Sequence, residues 1–183
     1  MHEVWVRYGW VVYVFVAALP VIVGVTLGTV ALRRRRGVLP EVAWRDTVAE
    51  VGIVAGTAPW LFMGFIPHWE AVRSAHLLPF VDLVDQWHVG PEFFAVQVGA
   101  NLLVFATAGF FAPIRWRIGP GAVLVGAAVA SALLEIGQWV FDIGRVTSVD
   151  DVLVNAVGAW LAALCSTRWW ARRRVTNVAV APA

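Results

Sequence analysis

Two long stretches without charge limit what this chain can fold into. Residues 8–32 and 93–114 are runs of 25 and 22 residues that contain no formally charged side chain. A helix rises 1.5 Å per residue, so about 20 apolar residues cross the hydrocarbon core of a bilayer. The whole chain is 60% apolar and 14% charged, whereas soluble domains are about 45–50% apolar and about 25% charged. The sequence therefore predicts an integral membrane protein.

Hydrophobic runs and charge positions divide the chain into helical spans. We expect an all-α, polytopic transmembrane helix bundle of about five spans, at residues 10–32, 47–66, 93–112, 119–141 and 149–166. The first run is longer than the 7–15 apolar residues of a cleaved signal peptide, which favours an anchor. A single cysteine, Cys165, excludes an internal disulfide and gives no zinc motif.

The spans suggest a division of the chain into consecutive regions. We expect two N-terminal spans in residues 1–66, an extracytoplasmic loop at 67–92, a core of three spans within 77–166, and a basic cytoplasmic tail at 167–183. Within the loop, the apolar run Leu77–Val81 is expected to dip into the membrane interface.

The arginine distribution predicts the orientation. With the N-terminus outside and the C-terminus cytoplasmic, 11 of the 14 arginines lie on the cytoplasmic side. The opposite orientation would reverse this ratio and violate the positive-inside rule. Membrane topology thus accounts for the basic pI without nucleic-acid binding. Because no basic residue is lysine, a GC-rich, bacterial coding sequence is indicated, and we expect a multi-pass protein of a bacterial plasma membrane.

Small residues recur at a spacing that lets helices approach closely. Gly24 and Gly28 lie in the first predicted span, and Gly52 and Gly56 lie in the second. We expect packing within the chain in preference to homodimer formation, and the sequence leaves the oligomeric state open.

A set of polar residues lies within the outer third of the predicted spans. Glu135 lies six residues before the outer end of the fourth span, about 9 Å deep at helical rise, where a carboxylate is costly unless it is partnered or protonated. Gln138 shares its helix face, and Asp151 and Asn155 share another. The candidate polar site comprises Asn101, Glu135, Gln138, Arg145, Asp150, Asp151 and Asn155.

Two interpretations of this set remain open and can coexist. In the first it is a structural latch, with Arg145 bonded to Asp150 or Asp151 and with Gln138 and Asn155 bonding between helices. In the second it is a site that opens to the outside, since ionisable groups within a membrane are usually functional.

The sequence assigns no catalytic residue, cofactor or metal ion. It lacks a glycine-rich phosphate loop and a nucleophile elbow, and Ser131 is interpreted as a helix-packing residue. His68, His76 and His88 lie in the loop without the close spacing of metal ligands, so we expect them to be solvated.

Several of these residues also form an ordered pattern. The segments are His76–Phe80, Asn101–Pro113, Ser131-x3-Glu135-x2-Gln138, Arg145, and Asp150–Asn155 followed by Gly158. This pattern resembles the VanZ-like family over about residues 77–164. The family commonly has a proline before the glycine of the Asn101–Pro113 segment, and this chain has Ala106, Thr107 and Ala108 there, so the usual cause of a kink is missing.

The resemblance implies an envelope function, because the founding member of the family is associated with low-level teicoplanin resistance. The first hypothesis is a non-catalytic membrane protein that modulates the envelope or binds a surface lipid, glycan or glycopeptide. The second is an enzyme that acts on an envelope lipid or glycan with Glu135 as the acid/base. A proton-coupled transporter is the weakest, because only one carboxylate lies deep within five short spans.

Overall fold

The structure is a computed structural model that describes residues 2–67 and 74–178, with side chains described for 9–67 and 74–166. In chain order the elements are α1 (His2–Arg35), α2 (Pro40–Gly64), β1 (Ser74–His76), α3 (Val81–Val89), α4 (Pro91–Val104), α5 (Ala106–Trp116), α6 (Pro120–Val140), β2 (Val146–Ser148) and α7 (Val149–Val178). The described residues contain five candidate spans, with α4 and α5 together forming the third. The predicted all-α bundle of five spans is confirmed.

Helix α7 lies at the centre of the bundle and packs against α4, α5 and α6. Its inward face carries small side chains, and Ala156, Ala159 and Ala163 are buried. Helix α2 packs against α5 from the other side, while α1 packs mainly on α2. Most described side chains of α1 are exposed, as expected for a peripheral helix that faces lipid acyl chains.

Two glycines permit the closest approach between α7 and the third span. A Cβ atom at Gly158 would collide with the backbone of Leu102, and one at Gly109 would collide with the backbone of Ala159. Real Cβ atoms are not found so close to backbone atoms, so both positions require glycine. Tight backbone contact of this kind stabilises helix pairs in a membrane, where hydrophobic burial supplies little driving force.

The two predicted glycine pairs differ in the structure. Gly52 lies against Phe111 and Gly56 lies against Thr107, so this pair packs α2 onto α5 within the chain, as predicted. At Gly24 and Gly28, by contrast, a Cβ atom would meet nothing within 4 Å. The expectation of packing within the chain is therefore wrong for that pair.

The third span is interrupted at Phe105, where one helix ends and the next begins. The sequence predicted one continuous helix there. The break falls between the two close contacts at Leu102 and Gly109, so each half of the span has its own close contact with α7. A local break therefore occurs without the proline that is common in the family.

A short parallel strand pair joins the loop to the connection between α6 and α7. Ser74 pairs with Val146, and His76 pairs with Ser148. The sequence analysis did not predict it, because strands of three residues are too short to show alternation. The pair fixes the loop over the end of the bundle where α7 begins.

Candidate functional site

Asp150 anchors helix α3 to the start of α7. Its carboxylate accepts hydrogen bonds from the backbone N–H of Phe80 (2.6 Å) and of Leu83 (3.2 Å). Helix α3 has no side-chain cap of its own, so Asp150 satisfies free N–H groups at its N-terminus, where a negative charge is favourable. Asp150 is 1% exposed. This predicted site residue therefore positions the loop helix.

Glu135 holds the second strand. Its Oε2 accepts a hydrogen bond from the backbone N–H of Ser148 at 3.0 Å, and the Ser148 hydroxyl accepts one from the backbone N–H of Asp150 at 3.1 Å. Glu135 is only 4% exposed. A chain of hydrogen bonds thus connects α6 through β2 to the first turn of α7.

Two further contacts join α7 to its neighbours. Asn101 on α4 donates its side-chain amide to the carboxylate of Asp151. Asn155, one turn below Asp151, donates to the hydroxyl of Ser131 on α6 at 2.7 Å. The side chains that the sequence placed at a common depth therefore meet across helices, and Ser131 acts as a packing residue, as expected.

Gln138 and Arg145 bind the end of α2. The Gln138 amide donates to the carbonyl of Gly64 at 2.9 Å, and Arg145 Nη2 donates to the carbonyl of Met63 at 3.3 Å. Among the described residues, no carboxylate lies within the 4 Å ion-pair distance of Arg145, although its charge acts on Glu135 and Asp151. The latch bond expected between Arg145 and an aspartate is thus replaced by a bond to a backbone carbonyl.

The sequence analysis missed Asp82, which is buried at the start of α3. One of its carboxylate oxygens bonds to the Nδ1 atom of His76. This hydrogen bond, together with the negative charge of Asp82, raises the pKa of His76. His76 was expected to be solvated and is instead a half-exposed partner of a buried carboxylate. The sequence did not indicate a buried role for Asp82, because this residue lies in a polar stretch without helical periodicity.

Within the described residues, four enclosed side-chain atoms in this region have no hydrogen-bond partner. They are Asp82 Oδ2, Gln86 Oε1, Arg145 Nε and Asn155 Oδ1. Each such atom costs about 1–3 kcal/mol when nothing satisfies it, and few are left in a native fold unless a water, an ion or a ligand is involved. We define the carboxylate cluster as the four carboxylates of Asp82, Glu135, Asp150 and Asp151 together with the side chains of Gln86, Arg145 and Asn155.

Metal binding has no support in the described part of the chain. No three side chains of histidine, cysteine, aspartate or glutamate are grouped there in a way that could hold a metal ion. His68 lies outside the described residues.

The opposite end of the bundle contains a second charged group, which was not predicted from the sequence. Arg33 on α1 binds Glu50 on α2 at 2.6 Å and donates to Thr47 at 2.9 Å. Arg115 on α5 binds the other oxygen of Glu50 at 2.5 Å. Glu50 could have indicated this group, because it is an acidic residue within the second predicted span. We call these residues, with Arg45 and Asp46, the arginine cluster.

These features define a class: a helical protein with five membrane-spanning helices and a hydrogen-bonded polar cluster at one end of the bundle. Comparison with known proteins makes the assignment more specific. The family model described as VanZ/LLP1 matches residues 54–170, which is more than half of the chain. The chain therefore belongs to this family, and the resemblance seen in the sequence is confirmed. Searches of curated proteins and of solved structures gave no match.

Proposed function

We propose that this protein is a bacterial envelope protein that binds the polar part of a membrane-associated amphiphile at the carboxylate cluster. The observation that carries the proposal is the group of enclosed polar atoms that no described residue satisfies, Asp82 Oδ2 and Asn155 Oδ1 among them. These atoms lie on separate helices, α3 and α7, and both are acceptors that require a hydrogen-bond donor.

The surroundings of the cluster suit an amphiphile. Leu77, Leu78 and Phe80 are 71%, 72% and 63% exposed, and they lie between β1 and α3, directly beside Asp82. An apolar surface next to a few fixed polar groups is the usual composition of a site for such ligands. The same exposed side chains support the expectation that this segment lies at the membrane interface.

The charge distribution supports an outward-facing site. Exposed Arg34, Arg35, Arg36 and Arg117 lie at the end of the bundle opposite the carboxylate cluster. The positive-inside rule assigns such an end to the cytoplasm. The cluster, together with the N-terminus of α1, would then face the outside of a bacterial plasma membrane.

The VanZ-like resemblance suggests a ligand class. We propose that the protein lowers susceptibility to acylated glycopeptides such as teicoplanin, by binding either the glycopeptide itself or the surface lipid or glycan through which it acts. In this reading the residues of the carboxylate cluster are binding residues, and the hydrogen bonds among them fix the geometry of the site.

A second candidate is an enzyme acting on an envelope lipid or glycan. The observation in its favour is that Glu135 uses only Oε2 in a hydrogen bond, which leaves Oε1 for proton transfer. A general acid/base needs a carboxylate oxygen that can reach the substrate, and Oε1 is the oxygen of Glu135 that could serve. Arg145 would then hold an anionic group of the substrate.

The test compares a sensitive bacterial host that carries the wild-type protein, Glu135→Gln, or an empty vector. Teicoplanin susceptibility, surface binding of labelled teicoplanin and the amount of protein in the membrane are measured in parallel. The matched control is Glu41→Gln, because Glu41 is an exposed carboxylate at the arginine end.

The binding function predicts that wild type and Glu41→Gln lower susceptibility and that Glu135→Gln loses both this effect and the binding. Retained binding with a lost effect would favour the enzyme, and loss of the protein from the membrane would favour a structural role. A well-expressed wild type without any effect would contradict the proposed link to glycopeptides.

A further inference from the structure

The hydrogen-bonding capacity left in the carboxylate cluster consists mainly of acceptors. Glu135 and Asp151 each use one carboxylate oxygen in a hydrogen bond, so Glu135 Oε1 and Asp151 Oδ2 are left over. Asp82 uses one oxygen for His76, and its Oδ2 has no partner. A ligand group that completes the cluster must therefore donate several hydrogen bonds.

Asn155 gives a second and independent indication. It is 2% exposed, its amide nitrogen is committed to Ser131, and its carbonyl oxygen is enclosed without a partner. Asn155 lies one helical turn from Asp151 on the same face of α7. An uncharged acceptor buried beside a carboxylate requires a donor that reaches both.

Among residues 9–67 and 74–166, few cations compensate the charge of the cluster. Four carboxylates are accompanied by Arg145 and by the imidazole of His76. Arg145 is bonded to the Met63 carbonyl, and His76 is bonded to Asp82. The hydrogen bonds to Glu135, Asp150 and Asp151 come from neutral amides. A cation is therefore the complementary ligand, since opposite charge strengthens each hydrogen bond.

The arrangement favours an organic cation over a metal ion. The described residues contain no group of three histidine, cysteine, aspartate or glutamate side chains that could hold a metal ion, whereas the acceptors left over at Asp82, Asp151 and Asn155 are two carboxylates and one neutral amide carbonyl. A primary ammonium has three N–H donors that point in different directions. A quaternary ammonium has none, and it is recognised by aromatic faces instead.

We infer that the group bound by the carboxylate cluster is a primary ammonium, with Asp82, Asp151 and the Asn155 carbonyl as acceptors. This inference rests on the proposed binding function and specifies the chemistry of its ligand. The ammonium could belong to an aminated lipid head group or to a water-soluble amine, and the experiment below separates these sources.

The experiment uses the purified full-length chain in nanodiscs of phosphatidylglycerol. Phosphatidylethanolamine or phosphatidylcholine is titrated in with the same acyl chains, and binding is followed by native mass spectrometry and by the thermal unfolding midpoint. The two head groups carry the same charge, and three N-methyl groups in phosphatidylcholine replace the N–H donors of phosphatidylethanolamine. Further arms add free ethanolamine or Mg²⁺ to nanodiscs of pure phosphatidylglycerol.

We expect saturable binding and stabilisation by phosphatidylethanolamine and neither effect with phosphatidylcholine. If free ethanolamine stabilises the protein equally well, the source is a soluble amine. Asp151→Asn and Asp82→Asn should each weaken apparent affinity roughly tenfold or more, because each removes a charge-assisted hydrogen bond. Glu41→Gln should bind like wild type. Two acidic variants are used so that misfolding of one does not prevent the test.

Three results would overturn the inference: equal binding of the two lipids, stabilisation by Mg²⁺ without any amine, or full amine affinity in both folded variants. These failures are distinguishable from failure of the proposed function. If the protein lowers teicoplanin susceptibility through Glu135 but does not bind amines, the proposed function is retained and the ammonium is excluded as its ligand. A protein that binds amines but does not change teicoplanin susceptibility would keep the inferred ammonium and exclude the proposed link to glycopeptides.

Discussion

The two ends of the bundle stabilise buried charge in different ways. In the arginine cluster, guanidinium groups pair directly with carboxylates, and both oxygens of Glu50 are used by arginines from two other helices. In the carboxylate cluster, the acids are held largely by neutral N–H groups of the backbone and of Asn101. The first arrangement neutralises the charge by ion pairing and connects helices. The second holds the acids in place mainly through neutral donors, and this difference is the basis of the proposed binding role.

The largest expected effect comes from removing the shared acid of the arginine cluster. Glu50→Gln leaves Arg33 without its acidic partner and Arg115 with only Asp46, at 4.0 Å, which should cost about 2 kcal/mol, between the values for exposed and buried ion pairs. The unfolding midpoint in detergent should fall by roughly 6 °C, while ligand binding at the other end remains. Adding Arg33→Gln to this variant should recover part of the loss. A midpoint equal to that of wild type would show that these pairs do not hold α1 and α5 to α2.

A smaller effect is expected from the anchor of α3. Asp150→Asn places an amide where Leu83 requires an acceptor, at a cost of about 1 kcal/mol. Hydrogen exchange should accelerate in residues 74–89 and remain unchanged in α1 and α2. Asp85→Asn is the matched control, because Asp85 is an exposed aspartate on the same helix. Equal exchange in both variants would mean that Asp150 does not anchor the loop.

Glu135→Gln should change stability by less than about 1 kcal/mol, because a glutamine oxygen can still accept the N–H of Ser148. The amide removes the negative charge, so the ligand effect should be lost although the fold is kept. Unfolding midpoint and ligand binding measured on the same preparation test this separation. A drop as large as that of Glu50→Gln would remove the distinction between the two clusters.

The smallest expected effect concerns pH. The hydrogen bond and charge of Asp82 raise the pKa of His76, with smaller contributions from Asp85 and Asp150. Because the folded pKa lies above the unfolded value, this stabilisation is full below the unfolded value and is lost as pH rises through the folded one. Amide exchange in β1, corrected for the intrinsic rate, should be slower at pH 6 than at pH 8. His76→Gln should abolish the difference, and His88→Gln should keep it.

The spans could be predicted because membrane crossing imposes length and composition on each helix. The candidate polar residues could be predicted because an acid or amide within an apolar run must be compensated, and their common depth followed from counting residues along each helix. The structure adds that Asn101 meets Asp151 and that Asn155 meets Ser131.

Other features could not be predicted from one sequence. The role of Asp82 depends on how the loop folds over the bundle, and loop positions have no periodicity. The break at Phe105 lies between two close contacts with α7, and no breaking residue marks it. Arg145 has several carboxylates nearby in the sequence. Only the fold shows that its guanidinium group instead bonds to a backbone carbonyl at the end of α2.

The parallel strand pair has a consequence for how the chain is made. All of α4, α5 and α6 lies between β1 and β2, so the strands cannot meet until the fourth span has left the ribosome and entered the bilayer. Until then the loop segment lacks its partner strand, and the N-terminus of α3 lacks the acceptor that Asp150 supplies. The strand pair and the anchor of α3 can therefore form only after β2 and the start of α7 have been synthesised.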